Sequence, residues 1–229
     1  MTEARLIRWR QAQVAELKWW NRWRQLPFYA NHSFPEYWAA VLTDVLGDFQ
    51  SLAPDVVVEV GCGPHGVVRY LFEKSRLKVG VDPLIREFQE KPTPDARTVY
   101  VAGVGENIPI SDNSADLVFC INVLDHVIDA DQILREVRRI LKPGGTLVLE
   151  VHTFPGLLKP FLVFDHPHTF HWTERDVHRM TERAGFPIQK ITQRVFPIEL
   201  PWTSLLNPTH WKYVFGKRFM RLSFVRCRK

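Results

Sequence analysis

Val56-Val57-Val58-Glu59-Val60-Gly61-Cys62-Gly63-Pro64-His65-Gly66 is an apolar run that breaks into glycines, and Val67 to Lys74 behind it reads as a short helix. A short, valine-rich run of this kind is a strand buried on both faces. Glycines belong where a chain turns sharply and its backbone approaches a ligand. Gly61, Gly63 and Gly66 spell G-x-G-x-x-G between a strand and a helix, a pattern that nicotinamide and flavin enzymes share with other nucleoside binders. Asp82 follows Gly63 by 19 residues and ends the next apolar run, where a carboxylate can accept hydrogen bonds from ribose hydroxyls.

Working outward, strands and helices alternate. Further strands are expected at Lys78–Asp82, Thr98–Val101, Asp116–Ile121 and Thr146–Val151. A helix from Ala130 to Leu141 collects Ile133, Leu134, Val137, Ile140 and Leu141 on one face and stops at Lys142-Pro143-Gly144-Gly145. Thr173 can cap a later helix with Asp176, Val177, Met180 and Ala184 point inward, and Gly185 closes it. Continuous apolar strands between helices predict a doubly wound, mainly parallel α/β sheet covered on both faces, with ligands at the carboxyl ends of the strands. Upstream, a helix from about Glu3 to Gln25 sets Leu6, Trp9, Val14, Leu17 and Trp20 on one stripe, with Arg5, Arg8, Lys18 and Arg22 on the other side. Leu26-Pro27 ends it, and a second helix is expected from Pro35 to Gln50. Residues 1–50 are thus expected to form a helical extension, and residues 51–229 the α/β domain with a basic C-terminal segment.

The composition, 45% apolar with a net charge of +5, is that of a globular protein with a real core. No run of apolar residues is long enough to span a bilayer, and the N-terminal residues lack the apolar stretch of a signal peptide. Cys62, Cys120 and Cys227 are few and far apart, without metal-type spacing, which points to the cytoplasm. Basic residues gather at both ends, mixed with aromatics in Arg8-Trp9-Arg10, from Trp19 to Arg24, and from Trp211 to Lys229. That mix is compatible with a solvated surface, an anionic acceptor or peripheral contact with a membrane. No nucleic-acid-binding motif accompanies it, so nucleic acid is not the expected partner.

Glu59-Val60-Gly61-Cys62-Gly63-Pro64 resembles the first motif of class I S-adenosylmethionine-dependent methyltransferases, in which an acidic residue precedes G-x-G by one position. Val79-Gly80-Val81-Asp82 is similar to their second motif, and Gly105-Glu106-Asn107-Ile108-Pro109-Ile110 to their segment ending in apolar-Pro-apolar. Asp116-Leu117-Val118 resembles the fourth-strand motif, and Leu141-Lys142-Pro143-Gly144-Gly145 the turn before the fifth strand. The resemblance runs from about residue 54 to 186 and implies a Rossmann-like methyltransferase domain with S-adenosylmethionine as cofactor. It makes Glu59, Gly61, Cys62, Gly63, Asp82, Pro83, Gly105, Glu106 and Asn122 the expected cofactor-binding residues, and the first helix a lid over the site. Where the family usually places an Asp for the adenine amino group, two residues before Glu106, this chain has Val104. Adenine contacts are then expected from the backbone around Gly105-Glu106 or from the Glu106 side chain.

Methyl transfer to a hydroxyl benefits from a general base, most often His near neutral pH. His126 follows the fourth expected strand and His152 the fifth. Asp165-His166-Pro167-His168-Thr169-Phe170-His171-Trp172 resembles the loop of relatives that methylate sugars and other small hydroxylated acceptors. His126, His168 and His171 are therefore the catalytic candidates, with a small or glycan-like hydroxyl as acceptor. No metal is expected, because ligands so closely spaced in one loop lack a partner elsewhere. A nicotinamide-dependent oxidoreductase and a non-catalytic module on the same fold are the alternatives that the first turn leaves open.

Overall fold

The computed structural model describes residues 3–25, 29, 32–90, 96–159, 170–195 and 219–229. Helix α1 (Glu3–Trp23) carries Glu3 in its first turn and Arg22 in its last, each complementing the helix dipole. Helix α2 (Phe34–Leu46) begins with Pro35, whose missing N–H costs nothing in a first turn. It ends at Gly47 and is followed by a single 3₁₀ turn (Phe49–Ser51), which breaks the longer helix expected to Gln50. Then come β1 (Val56–Val60), the one-turn α3 (Val67–Tyr70), β2 (Leu77–Val81), β3 (Thr98–Val101) and β4 (Ala115–Ile121). Helix α4 (Ala130–Ile140), β5 (Leu141–Thr153), α5 (Glu174–Arg183), β6 (Ile188–Val195) and β7 (Arg221–Arg228) complete the described elements.

The seven strands form one sheet in the order β3-β2-β1-β4-β5-β7-β6. β3, β2, β1, β4 and β5 run parallel, while β7 pairs antiparallel with both β5 and β6. This is the doubly wound α/β architecture that the alternating pattern predicts. Successive residues of the central strands serve opposite faces. Val58, Val118 and Leu147 join α4 and α5, through Ile133, Leu134, Val137, Val177 and Met180, in one core. Val57, Phe119 and Val148 join α2, through Val41, Leu42 and Val45, in the other. Burying each such aliphatic side chain is worth roughly 1.5–3 kcal/mol, so both helical layers are held by the sheet itself.

The caps expected for α5 are present: Asp176 N donates to Thr173 Oγ1 at 3.2 Å, and Thr173 N donates to Asp176 Oδ2 at 2.9 Å. Two expectations are corrected. On α1, Val14 is 51% exposed, while the expected Leu6, Trp9, Leu17 and Trp20 are partly buried and are joined by Ala12, Gln13 and Glu16, so the inward side is polar as well as apolar. The final basic segment is not wholly a surface tail, because Arg221–Arg228 lies between β5 and β6. Its buried Leu222, Phe224, Val225 and Cys227 were masked in the sequence by interleaved arginines. The arginine heads reach outward to partners, Arg226 Nε to Gln189 and Arg228 Nε to the Gly144 carbonyl.

Candidate cofactor site and acceptor face

β1 delivers the chain into the turn at Gly61, which has φ +69°; a Cβ there would drive into the side chain of Val123. Only glycine meets both demands. At Gly66 a Cβ would strike the Glu59 carboxylate and lie 2.5 Å from the Cys62 carbonyl oxygen. Glu59 itself is 2% exposed, and its two carboxylate oxygens each accept an amide, from Val67 and Val68, at 3.0 Å. The buried acid before the glycines therefore ties the turn to the helix behind it. Burial pushes its pKa up to about 8, with the two amides pulling the other way.

Asp82, at the end of β2, does the same for the second loop. Its Oδ2 accepts from Gly63 N at 2.9 Å and its Oδ1 from Leu84 N at 2.7 Å. Burial raises its pKa to about 6, against those two hydrogen bonds. Each oxygen keeps a second lone pair for a ribose hydroxyl.

Between these loops and α1 lies a cavity of about 80 Å³. Gly61, Pro83, Gly105, Glu106 and Asn122, all expected from the sequence, line it together with Val104 and His126. Glu59, Cys62, Gly63 and Asp82 are not among its lining residues; Glu59, and Asp82 with Gly63, shape the turn through their hydrogen bonds. Asn122 takes φ +54°, a conformation that Asn tolerates better than most residues, as β4 gives way to the next loop. Glu106 serves structure: its Oε1 accepts from Ile128 N at 2.9 Å and Asp129 N at 3.3 Å. The wall contributed by α1 consists of Trp9, Gln13 and Glu16.

His65 is a site residue that the sequence motifs do not single out. Burial pushes its pKa down to about 4, so the ring is neutral at pH 7. It stacks on Phe34 at 3.9 Å between ring centres, lies 5.7 Å from Trp20, and bonds Tyr29 and Tyr70 through its two nitrogens. An imidazole inside a glycine turn, flanked upstream by aromatics, was the available signal. It fastens α1 and α2 to the cofactor turn.

On the other side, in the loop after β4 and in the last residues of β5, which runs on through His152 instead of ending before it, acids and histidines alternate. His126 Nε2 is 3.7 Å from Asp125 Oδ1, and His152 Nδ1 is 3.9 Å from Asp125 Oδ2. His152 Nε2 in turn is 3.8 Å from Glu150 Oε1. Glu150 is 2% exposed, and its Oε1 accepts no hydrogen bond. Burial, then the charge of Asp125, lift its pKa to about 8, so it is largely protonated at pH 7. His171 is apart from this row, 6.1 Å from the Phe154 ring in the segment that bridges to the end of β5. His166 and His168 lie outside the described residues. Among the described residues no three His, Cys, Asp or Glu side chains are grouped to hold a metal.

Residues 58–149 match a family model described as a methyltransferase domain. An uncharacterized methyltransferase of Mycobacterium sp. (strain JLS) is 33% identical over 100 residues, covering 44% of this chain and 40% of the relative. A tRNA U34 carboxymethyltransferase of Hahella chejuensis is 31% identical over 157 residues, covering 64% and 48%. The crystal structure of a Burkholderia thailandensis 1,6-didemethyltoxoflavin N1-methyltransferase with S-adenosylhomocysteine bound superposes with a TM-score of 0.61. It is 15% identical and covers all of this chain and 91% of that one. Residues 58–149 thus match a methyltransferase domain, and the fold is that of solved methyltransferases. The chain spans less than half the length of the Mycobacterium and Hahella relatives.

Proposed function

We propose that the chain transfers a methyl group from S-adenosylmethionine to a hydroxyl of a small or glycan-like acceptor. When bound, S-adenosylmethionine supplies a methyl carbon already activated by a sulfonium. The protein itself then aligns the acceptor and receives its proton. The cradle of Gly61 and Gly66 and the carboxylate of Asp82 fit an adenosyl group, which needs close backbone approach and a ribose acceptor.

The observation that carries the hydroxyl reading is the place of His126. It lines the same cavity as Gly61 and Asn122, and a buried carboxylate, Asp125, stands behind its ring. As the acceptor oxygen bonds to the methyl carbon, the sulfur–carbon electron pair stays on sulfur and the hydroxyl proton passes to the imidazole. Cys62, Cys120 and Cys227 are buried free thiols, compatible with a reducing cytoplasm.

The test is methyl-labelled S-adenosylmethionine with a panel of sugars and small hydroxylated compounds, beside amine and carbon acceptors. Label on a hydroxylated acceptor, reduced about 100-fold or more in His126→Gln, is expected. Label only on nitrogen or carbon acceptors contradicts the hydroxyl assignment.

A further inference from the structure

The purine wall of the cavity lacks the group that the resemblance calls for. Val104 offers no acceptor, and Glu106 spends Oε1 on the amides of Ile128 and Asp129 while its carbonyl oxygen accepts from Gln132 Nε2. An adenine ring set against Val104 would meet no side-chain acceptor there.

Helix α1 lies across the opening. Trp9, Gln13, Glu16 and Trp20 recur every three or four residues and so share one face. Their neighbours give the stripe a direction. Trp20 is beside the Gly63 turn, within 3.7 Å of where a Cβ on Gly63 would sit. One turn back, Glu16 is near enough for its charge to raise the Asp82 pKa, and its Oε1 accepts from Trp20 Nε1 at 2.8 Å. Another turn back, Gln13 and Trp9 border the cavity that Val104, Gly105 and Glu106 wall. The helix thus follows the order turn, ribose carboxylate, purine wall.

We infer that Gln13 is the adenine-reading residue of this protein, supplied by the lid helix in place of the loop acid, with Trp9 as the ring it stacks beside. A primary amide suits that role, because its carbonyl accepts from the exocyclic amino group while its NH₂ donates to a neighbouring ring nitrogen, a pairing that Gln makes with adenine elsewhere. An indole provides a stacking face that tolerates any purine. The cavity is far below the several hundred Å³ typical of a ligand pocket, and outward movement of α1 would enlarge it to admit the nucleoside. Its outer face leaves Ile7, Val14 and Trp19 about half exposed, so those side chains do little to oppose the movement. The inference rests on the S-adenosylmethionine reading above.

The experiment is calorimetric titration of the full chain with S-adenosylhomocysteine and with its 6-oxo (inosine) analogue. Wild type should prefer the adenosine form by about tenfold, the worth of one hydrogen-bonding pair. Gln13→Leu should bind S-adenosylhomocysteine about tenfold more weakly and lose the preference. Adding Val104→Asp to Gln13→Leu should restore both, because it returns a carboxylate acceptor to the purine wall. Gln11→Leu on the exposed side should change neither, and unfolding without ligand verifies that each variant is folded. Wild-type affinity and preference in a folded Gln13→Leu overturn the inference alone. Failure of wild type to bind S-adenosylhomocysteine overturns the methyltransferase reading and this inference with it.

Discussion

The turn from Glu59 to Val68 and the row from His126 to Glu150 both hold buried carboxyls, and they hold them differently. In the turn, Glu59 and Asp82 each accept two backbone amides, so their ionised forms have partners waiting. In the row, Asp125 lies 3.7 Å from His126 and 3.9 Å from His152, and one oxygen of Glu150 accepts no hydrogen bond. The first arrangement fixes a backbone; the second gathers carboxyls and imidazoles beyond β4 and along β5.

The comparison can be broken by mutation. The largest effect is expected at Gly61→Val, which adds a branched side chain at φ +69° against Val123. Donor binding should vanish in calorimetry and stability should fall by several kcal/mol, roughly the sum of backbone strain and overpacking. Glu59→Ala comes next: two buried amides lose their acceptor, at about 2–4 kcal/mol in chemical unfolding. Asp82→Ala should weaken S-adenosylhomocysteine binding by about 1–3 kcal/mol, through the freed Gly63 loop and the lost ribose acceptor. If instead these variants spared the donor and stopped only turnover, the division between the two regions would be wrong.

The smallest effect sharpens the acceptor half. Glu150 has a folded pKa of about 8, above its ordinary 4.5. Its stabilising contribution is complete below about pH 4.5 and is lost as pH rises to about 8, because only the native state then still holds the proton. Glu59 adds a decline of the same sign over the same range. Glu150→Gln should therefore flatten part of the fall in stability between those pH values, measured by denaturant titration at several pH. An unchanged slope in that variant would contradict a buried, protonated Glu150.

Much of the donor half was legible in the sequence because backbone chemistry dictates residue type there. A left-handed turn demands Gly61, and an acid that must satisfy amides sits at a fixed offset in Glu59. The roles were less legible than the positions. Glu59 and Asp82 read as ligand contacts, and the structure gives them backbone partners first. The acceptor half resisted because Asp125, in the loop after β4, and Glu150 and His152, on β5, are brought together only by the β4–β5 pairing. The strands β6 and β7 escaped for a related reason: they pair with each other and with β5 across long sequence separations, and their arginines disguise the buried positions.

The central claim is a donor site built on the Gly61 turn, and thermal unfolding with S-adenosylmethionine, S-adenosylhomocysteine or NAD in excess tests it most directly. At about 100 times its dissociation constant a ligand stabilises by roughly 2.7 kcal/mol, on the order of a few degrees for a chain of this size. Stabilisation by the two sulfur compounds and not by NAD is the result expected. Stabilisation by NAD alone, or by none of the three with calorimetry in agreement, would contradict it.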